Sequence, residues 1–482
     1  LENKSEIFEE LLIQHGFGKM LKMKALPVSG SNRQYFRLQV EKQGFQKNYM
    51  GVFHPESGEN KAFYFFTEHF LKSGLKVPPV YAHTADYRYF IVKDLGDETL
   101  LNILEKKKTE STDEEIESLY RPVIDDLLDF QLKGIQGLNL EHAFPVAAFS
   151  EQAVKWDLNY FKYYFVKSHN LDFDEQKLEA DFDAFTRRIM SSEMAFFNYR
   201  DFQARNIMRF ENQWWYIDFQ GGRKGPLAYD LVSLLYQAKA NLSEPLRSRL
   251  VDYYLKKLEE RMPGKAVEVK AHFYDFVYFR LMQVMGAYGF RGLFERKPHF
   301  IQSIPLAIES LANQIKIHPV PEALAELKNV FSQIVTLKSE YRPHEIDKAV
   351  LTVSINSFSY KKSGIPRDYT ENGGGFVFDC RALPNPGRVE ELMNFNGRER
   401  PIIAFLEKEP AVLSFKNDIF HLIDQSVDNY RERKFSHLQV NFGCTGGKHR
   451  SVFLAEQLGK HLADRAGVKV ILHHRELESG IV

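Results

Sequence analysis

The chain has 482 residues, 64 Lys plus Arg against 64 Asp plus Glu, 44% hydrophobic and 14% aromatic residues. A sequence this long and this apolar requires more than one core, and its balanced charge excludes disorder and a whole-chain polyanion binder. The two cysteines, Cys380 and Cys444, exclude a disulfide scaffold and make a reducing cytoplasm the expected compartment. No apolar run approaches the ~20 residues that cross a bilayer, so no membrane partner is expected. The opening Leu-Glu-Asn-Lys-Ser-Glu lacks the apolar stretch of a signal peptide.

Helical spacing of Ile7, Phe8, Leu11 and Leu12 predicts a helix over 6–24. A strand and turn follow at 25–33, then strands at 35–40 and 48–53, a helix over 60–73, and strands at 77–81 and 89–96. The pattern is helical from 98 to 192, with breaks near Gly134 to Gly137 and at Phe144-Pro145. Apolar Ala195-Phe196-Phe197 leads into Asp201. Residues 207–210 and 214–217, joined by Glu211-Asn212-Gln213, predict a hairpin that returns Asp218 beside Asp201. Helices run from about 227 to 315. The segment 316–347, with His318-Pro319-Val320-Pro321 near its start and one helix inside, reads as a connector. A fresh α/β pattern begins at Ala349. The expected domains are therefore a β-rich lobe over 1–96, a helical lobe over 97–315, a linker over 316–347 and an α/β domain over 348–482. There is no internal repeat and no low-complexity tract.

The hairpin carries the first chemistry. Asp201, Asn206 five residues on and Asp218 twelve after that offer hard oxygen ligands of the kind Mg²⁺ takes. A γ-phosphoryl group leaving ATP needs its charge neutralised and its acceptor hydroxyl oriented, with little covalent work for the protein. On this reading Asp201 is the catalytic group at the hydroxyl, and Asn206 and Asp218 hold the metal.

A β-rich lobe, then a helical lobe bearing Asp201, Asn206, Asp218 and Gly225-Pro226-Leu227-Ala228-Tyr229-Asp230, resembles the aminoglycoside phosphotransferase and choline-kinase branch of the protein-kinase-like fold. The resemblance covers roughly 10–315. It implies ATP and Mg²⁺ as cofactors and a role for Asp230 in bracing the catalytic loop; a plain helix N-cap is the other reading of Asp230. Arg200-Asp201-Phe202 with Arg205-Asn206-Ile207-Met208 and Ile217-Asp218-Phe219-Gln220 is most similar to the N-acetylmuramate and N-acetylglucosamine kinases. That likeness implies an amino sugar as acceptor, phosphorylated on an alcohol group. It brings forward Asp157, within Trp156 to Phe161, and Arg205 as substrate residues. An ordinary amphipathic helix also explains Asp157.

The chain departs from that branch in two ways. Tyr199 stands where a His usually precedes Arg-Asp. The stretch 48–53 has no lysine where kinase-like folds place the one that meets the α- and β-phosphates. Ser29, Gly30, Ser31 and Arg33 then become the nucleotide loop, with Arg33 or Arg37 in place of the lysine and Glu68 as its ion-pair partner. A hairpin turn explains the same loop.

The second chemistry lies near the end of the chain. A strand over 437–442 runs into Gly443-Cys444-Thr445-Gly446-Gly447-Lys448-His449-Arg450-Ser451 and then a helix. Free amides, the positive end of a helix dipole and three basic side chains suit an anion. The spacing is not that of a Walker loop. It fits Cys-x5-Arg-Ser, so Cys444 reads either as a phosphatase nucleophile or as a small buried residue. Together with Phe378-Asp379-Cys380-Arg381 and His474-Arg475-Glu476-Leu477, the loop resembles the C-terminal domain of the RNase adapter RapZ over about 349–478. That resemblance implies binding of a phosphorylated sugar or a similar metabolite such as a nucleotide-sugar, and of a small RNA. It carries over Asp379, Arg381, Thr445, Gly446, Lys448, His449, Arg450 and His474, with Cys444 and Gly447 completing the loop. From 346 onward, 19 Lys plus Arg face 17 Asp plus Glu; this is no basic excess of the kind RNA binders show.

The expectation is an α+β protein-kinase-like two-lobed domain followed by a separate α/β domain with a phosphate-binding strand–loop–helix. It would act as an ATP-dependent amino-sugar kinase with a metabolite-sensing domain. A nucleotide-binding regulatory adapter without turnover is the alternative.

Overall fold

Alternating burial along Gln34–Lys42 (β2) sets the first layer. With Lys19–Ala25 (β1), Phe45–Phe53 (β3), Val80–His83 (β4) and Tyr89–Lys93 (β5) it forms an antiparallel sheet in the order β1-β2-β3-β5-β4 in this computed structural model. Helix Glu2–Gln14 (α1) covers one face, with the Phe8 ring 5.6 Å from Phe36 and 5.5 Å from Tyr89. The helix predicted over 6–24 stops at Gln14 instead. Gly16 (φ 69°) and Gly18 (φ 121°) turn the chain, and a side chain at Gly18 would meet the Glu41 carbonyl oxygen at 2.2 Å. The remainder of that stretch is β1, which pairs with β2. Periodicity ran past a break that only the strand partner explains.

Helix Ser57–Lys72 (α2) joins this sheet to the helical half. Its buried Phe63 stacks on Phe219 at 5.5 Å. Its Phe70 meets Phe130, Phe197 and Phe219 edge-on at 5.3, 5.0 and 5.4 Å. The helical half contains Leu100–Lys107 (α3), Asp113–Leu132 (α4), Glu151–Phe161 (α5), Glu175–Met190 (α6), Leu227–Leu235 (α7), Glu244–Arg261 (α8), Lys265–Tyr288 (α9), Pro298–Ile301 (α10) and Ile304–Ile317 (α11). Thr112 and Glu115 start α4 with a reciprocal capping box. Two small ribbons lie inside this half: Phe196–Asn198 (β6) with Arg223–Gly225 (β9), and Ile207–Phe210 (β7) with Gln213–Tyr216 (β8).

The segment expected to link two domains behaves differently. Helix Ala325–Thr336 (α12) buries Leu327, Val330, Phe331 and Ile334, and the Leu327 N–H donates to Asp181 Oδ2 of α6 at 2.8 Å. Its apolar face makes it part of the first body. The chain divides into two compact units, Leu1–Lys338 and Ser339–Val482. The structure describes residues 2–27, 33–107, 111–237, 239–339, 341, 350–368 and 374–478.

In the second unit, Leu351–Ser359 (β10), Gly375–Asp379 (β11), His437–Cys444 (β12) and Val468–His474 (β13) form a parallel sheet in the order β11-β12-β10-β13. β10 and β12 are buried along their whole length, as central parallel strands are. Helices Arg400–Glu407 (α13), Pro410–Glu432 (α14) and Arg450–Ala463 (α15) supply Ile402, Leu406, Ile419, Ile423, Leu454 and Leu458 to its core, and Arg475–Glu478 (α16) follows β13. Among the described residues, no helix is long and apolar enough to cross a membrane.

Phe70 holds three rings in place at the seam between sheet and helices. Phe70→Ala should lower stability by ~3–5 kcal/mol, read as an earlier unfolding midpoint in urea.

Candidate active site and anion loop

The loop after β6 is fixed from behind. Asp230 lies inside α7, four residues past that helix's N-cap at Pro226, and is fully buried. It is therefore not the cap. Its carboxylate accepts the Tyr199 N–H at 2.7 Å and the Arg200 N–H at 2.8 Å. Burial pushes this carboxyl up to about 7, against the pull of those two N–H groups. Arg200 takes φ 75°, a left-handed conformation that a residue with a side chain holds only when its surroundings impose it. The Tyr199 hydroxyl donates to the Ile217 carbonyl at 2.7 Å. Tyrosine thus stitches the loop to the strand that leads to Asp218.

Hairpin β7–β8 brings the three oxygen-bearing side chains together. Asn206 Nδ2 donates to the Asp201 carbonyl at 2.9 Å and to Asp218 Oδ2 at 3.2 Å. Gln203 Nε2 donates to Asp201 Oδ1 at 3.1 Å. Burial raises the Asp218 carboxyl, and the nearby Asp201 charge raises it further. Two carboxylates that resist ionising together invite a cation. Among the described residues, no group of three or more His, Cys, Asp or Glu is arranged to hold a metal. This donor set suits Mg²⁺, which keeps one or two protein carboxylates and takes its remaining ligands from phosphates and water. Asn206 and Asp218 are the residues that would hold it.

On the nucleotide side the expectations divide. Ser29, Gly30 and Ser31 lie outside the described residues. Arg33 is almost completely buried; its Nη2 donates to Glu59 Oε1 at 2.8 Å and to Asn60 Oδ1 at 3.1 Å on α2. Glu59 in turn accepts Gln220 Nε2 at 3.1 Å, and the same nitrogen donates to Asp218 Oδ1 at 2.9 Å. An unbroken polar chain therefore runs from Arg33 to the acidic cluster. Glu59, not Glu68, is the ion-pair partner, because Glu59 occupies the first turn of α2 facing Arg33. Arg37 must be withdrawn as a nucleotide residue. It forks onto Asp94 at 2.7 and 3.1 Å and onto Asp97 at 2.9 and 2.9 Å, which leaves its donors engaged. Glu59 and Gln220 escaped sequence reasoning; the position of Gln220, two residues past Asp218, was the available signal.

On the opposite side, Asp157 of α5 faces the same loop. Gln283 Nε2 of α9 donates to Asp157 Oδ2 at 2.6 Å, and Arg280 Nη1 donates to Gln283 Oε1 at 2.7 Å. Arg280 Nη2 stands 3.9 Å from Asp201 Oδ1. Asp157 is thus joined to Asp201 through two side chains of α9, neither found from sequence. Burial raises its carboxyl, and Arg200 is the strongest counter-influence. Arg205 is exposed and pulls the Asp218 carboxyl down.

In the second unit the expected anion residues gather at the carboxyl ends of the parallel strands, where ligands of such sheets bind. Register pairs Asp379 with Gly443, Ser359 with Cys444 and Ser357 with His474. Thr445, Gly446, Lys448 and His449 form the accessible part of the loop. Gly447 needs its glycine: φ is 67°, and a Cβ would lie 2.2 Å from Glu476 Cγ. Burial lowers the His449 imidazole. Asp379 and Arg381 pair with each other at 2.6 Å, and Arg381 also lies 4.0 Å above the Tyr360 ring.

Three expected ligands are otherwise engaged. Arg450 Nη1 donates to the carbonyls of Arg381 and Leu383 at 3.0 and 2.8 Å, which ties the β11 loop to α15. His474 is buried between Ser357 Oγ at 2.8 Å and Glu456 Oε1 at 3.2 Å. Cys444 is 2% exposed with its Sγ 3.1 Å from Ser451 Oγ. A thiol phosphatase loop needs its cysteine and arginine open to the phosphate. Here both are turned inward, which argues against that reading.

Comparison with known proteins gives two matches in chain order. The family described as Phosphotransferase enzyme family matches residues 22–265, and the RapZ C-terminal domain matches 351–478. A nucleotide-binding protein of Ruegeria pomeroyi is 41% identical over 130 residues, 27% of this chain and 43% of its own length. One from Chromohalobacter salexigens is 43% identical over 128 residues, 26% of this chain and 40% of its own length. The chain spans less than half the length of these curated relatives. Among solved structures, a thermostable mutant of an aminoglycoside phosphotransferase is 14% identical with a TM-score of 0.41, covering 65% of this chain and 100% of its own. An ethanolamine kinase from Plasmodium vivax is 10% identical with a TM-score of 0.43, covering 63% and 83%.

Asp230→Asn turns an amide N–H₂ toward a backbone N–H and should lower stability by about 1–3 kcal/mol, read in urea unfolding. Both buried thiols should react with Ellman's reagent only after denaturant is added, and an aryl phosphate should not be hydrolysed.

Proposed function

The chain belongs to the phosphotransferase enzyme family, which matches just over half of it, and on that premise we propose that it transfers the γ-phosphoryl group of ATP to an alcohol group of an amino sugar such as N-acetylmuramate or N-acetylglucosamine. A five-stranded sheet followed by a helical half bearing the acidic hairpin is the protein-kinase-like arrangement of this family. The observation that carries the proposal is the Asn206 amide bridging the Asp201 carbonyl and the Asp218 carboxylate at 2.9 and 3.2 Å.

Each residue then has a task. Asp201 points a carboxylate, steadied by Gln203 and Arg280, at the position of the acceptor hydroxyl, orients it and receives its proton as the new P–O bond forms. Asn206 and Asp218 hold Mg²⁺, which would supply the positive charge that the transferring phosphoryl group needs. Arg33, set by Glu59 and Asn60, offers the cation that the strand lacks. Its planar fork meets phosphate oxygens in pairs where a lysine would make a point contact. Asp230 keeps the loop in register behind Asp201. The second unit binds a phosphorylated sugar or nucleotide-sugar at Thr445, Gly446, Lys448 and His449. This requires only the local loop, whereas RNA binding would call for a basic surface that the charge balance does not provide.

One observation favours the adapter reading: Arg37 is held by two aspartates and 48–53 has no lysine. Labelled ATP with Mg²⁺ and a panel of N-acetylhexosamines and N-acetylmuramate separates the two. Transfer is expected, and Asp201→Ala should reduce it by ~10²–10⁴-fold. Nucleotide binding without transfer to any acceptor would favour the adapter.

A further inference from the structure

Arg223 opens β9 and is 5% exposed, yet among the described residues no ion pair or side-chain hydrogen bond holds its guanidinium, and its Nε is buried without a partner. Across the ribbon its register partner is Asn198, fully buried, with both amide atoms unpartnered. Arg200 is close by, and no carboxylate of the described residues lies within ion-pair distance of its side chain either. A buried charge without a partner costs several kcal/mol, so a fold that keeps one needs a counter-charge from outside.

The surroundings say which side of the reaction centre is short of that charge. Besides burial, the groups that act most on Arg223 are Arg200, Tyr229, Asp157 and Asp201. These are the acceptor-side residues; Arg33, Glu59 and Gln220 belong to the nucleotide side. Burial and the like charge of Arg200 push Arg223 down to about 10. Arg200, Arg223 and Arg280 together bring three positive charges to this pocket wall. Asp157 and Asp201 return two negative ones. The remainder is a single positive charge, which matches a monoanion better than a doubly charged phosphate ester.

We propose that the acceptor is an acid: the alcohol substrate carries a carboxylate that docks against Arg223 and Arg200 while its hydroxyl faces Asp201. This rests on the kinase reading above and narrows its substrate class. The planar forks of two neighbouring arginines present parallel N–H donors suited to both carboxylate oxygens. Asn198, at the same rung of the ribbon, adds a neutral polar group beside them. The carboxylate fixes the orientation of the sugar and takes no part in the bond changes.

The test uses three probes that differ at one group: N-acetylmuramate, its methyl ester and N-acetylglucosamine. The full-length protein should favour the acid over both neutral compounds by about 10–100-fold in kcat/KM, expressed mainly in KM. In Arg223→Met that ratio should collapse toward one, and Arg223→Lys should restore part of it. Titration calorimetry of the same three compounds reads the ratio without turnover. Absence of transfer with a preserved binding preference would overturn the kinase reading alone. Equal affinity for acid and ester, or a ratio unchanged in Arg223→Met and Arg223→Lys, would overturn this one.

Discussion

One buried carboxylate receiving two backbone N–H groups sets the rest of the first unit. Asp230 stands behind the loop that carries Asp201, and its bonds to Tyr199 and Arg200 are what permit Arg200 its left-handed backbone. That turn separates two directions in space. Tyr199 goes inward to the Ile217 carbonyl, and Asp201 goes outward to the acceptor. Without the brace, the loop could relax to an ordinary conformation, and Asp201, Asn206 and Asp218 would lose their shared geometry. The constraint lies on a helix, which has little freedom to move, and the chemistry lies on the loop it holds.

The two halves of the site differ in how they meet charge. The metal side gathers acids whose mutual repulsion favours a cation. The acceptor side gathers arginines whose partners are too few. Between them, the chain Arg33–Glu59–Gln220–Asp218 spans from α2 to the hairpin through 2.8, 3.1 and 2.9 Å contacts. Such a network holds its members in single rotamers, since each leaves a buried polar group unpaired if it turns away.

What the sequence made legible was local. Asp201, Asn206 and Asp218 could be read because a hairpin of known turn chemistry fixes their spacing. The strand–loop–helix at 437–463 could be read because buried strands and glycine turns leave a composition signature. What stayed hidden depended on partners distant in the chain. Arg37 looked like a phosphate ligand until Asp94 and Asp97, nearly sixty residues on, appeared beside it. Arg450 and His474 carried the right chemistry for an anion, but Leu383, Arg381, Ser357 and Glu456 had already claimed it. Gly16 and Gly18 ended a helix that periodicity continued. Arg223 showed no pattern at all; its meaning lies in what is missing around it, which no string of residues displays.

The clasp at Arg37 has a mechanical meaning of its own. It fastens the second strand of the sheet to the stretch 94–97, where the chain leaves the sheet for the helices. The Asp94 half of the clasp is sheltered, at 7% side-chain exposure, whereas the Asp97 half stands in solvent at 76%. Dissolved ions screen the outer contact and leave the inner one in force. The joint is therefore graded: a fixed pivot next to a yielding latch, whose grip on the rocking of the sheet follows the electrolyte around it.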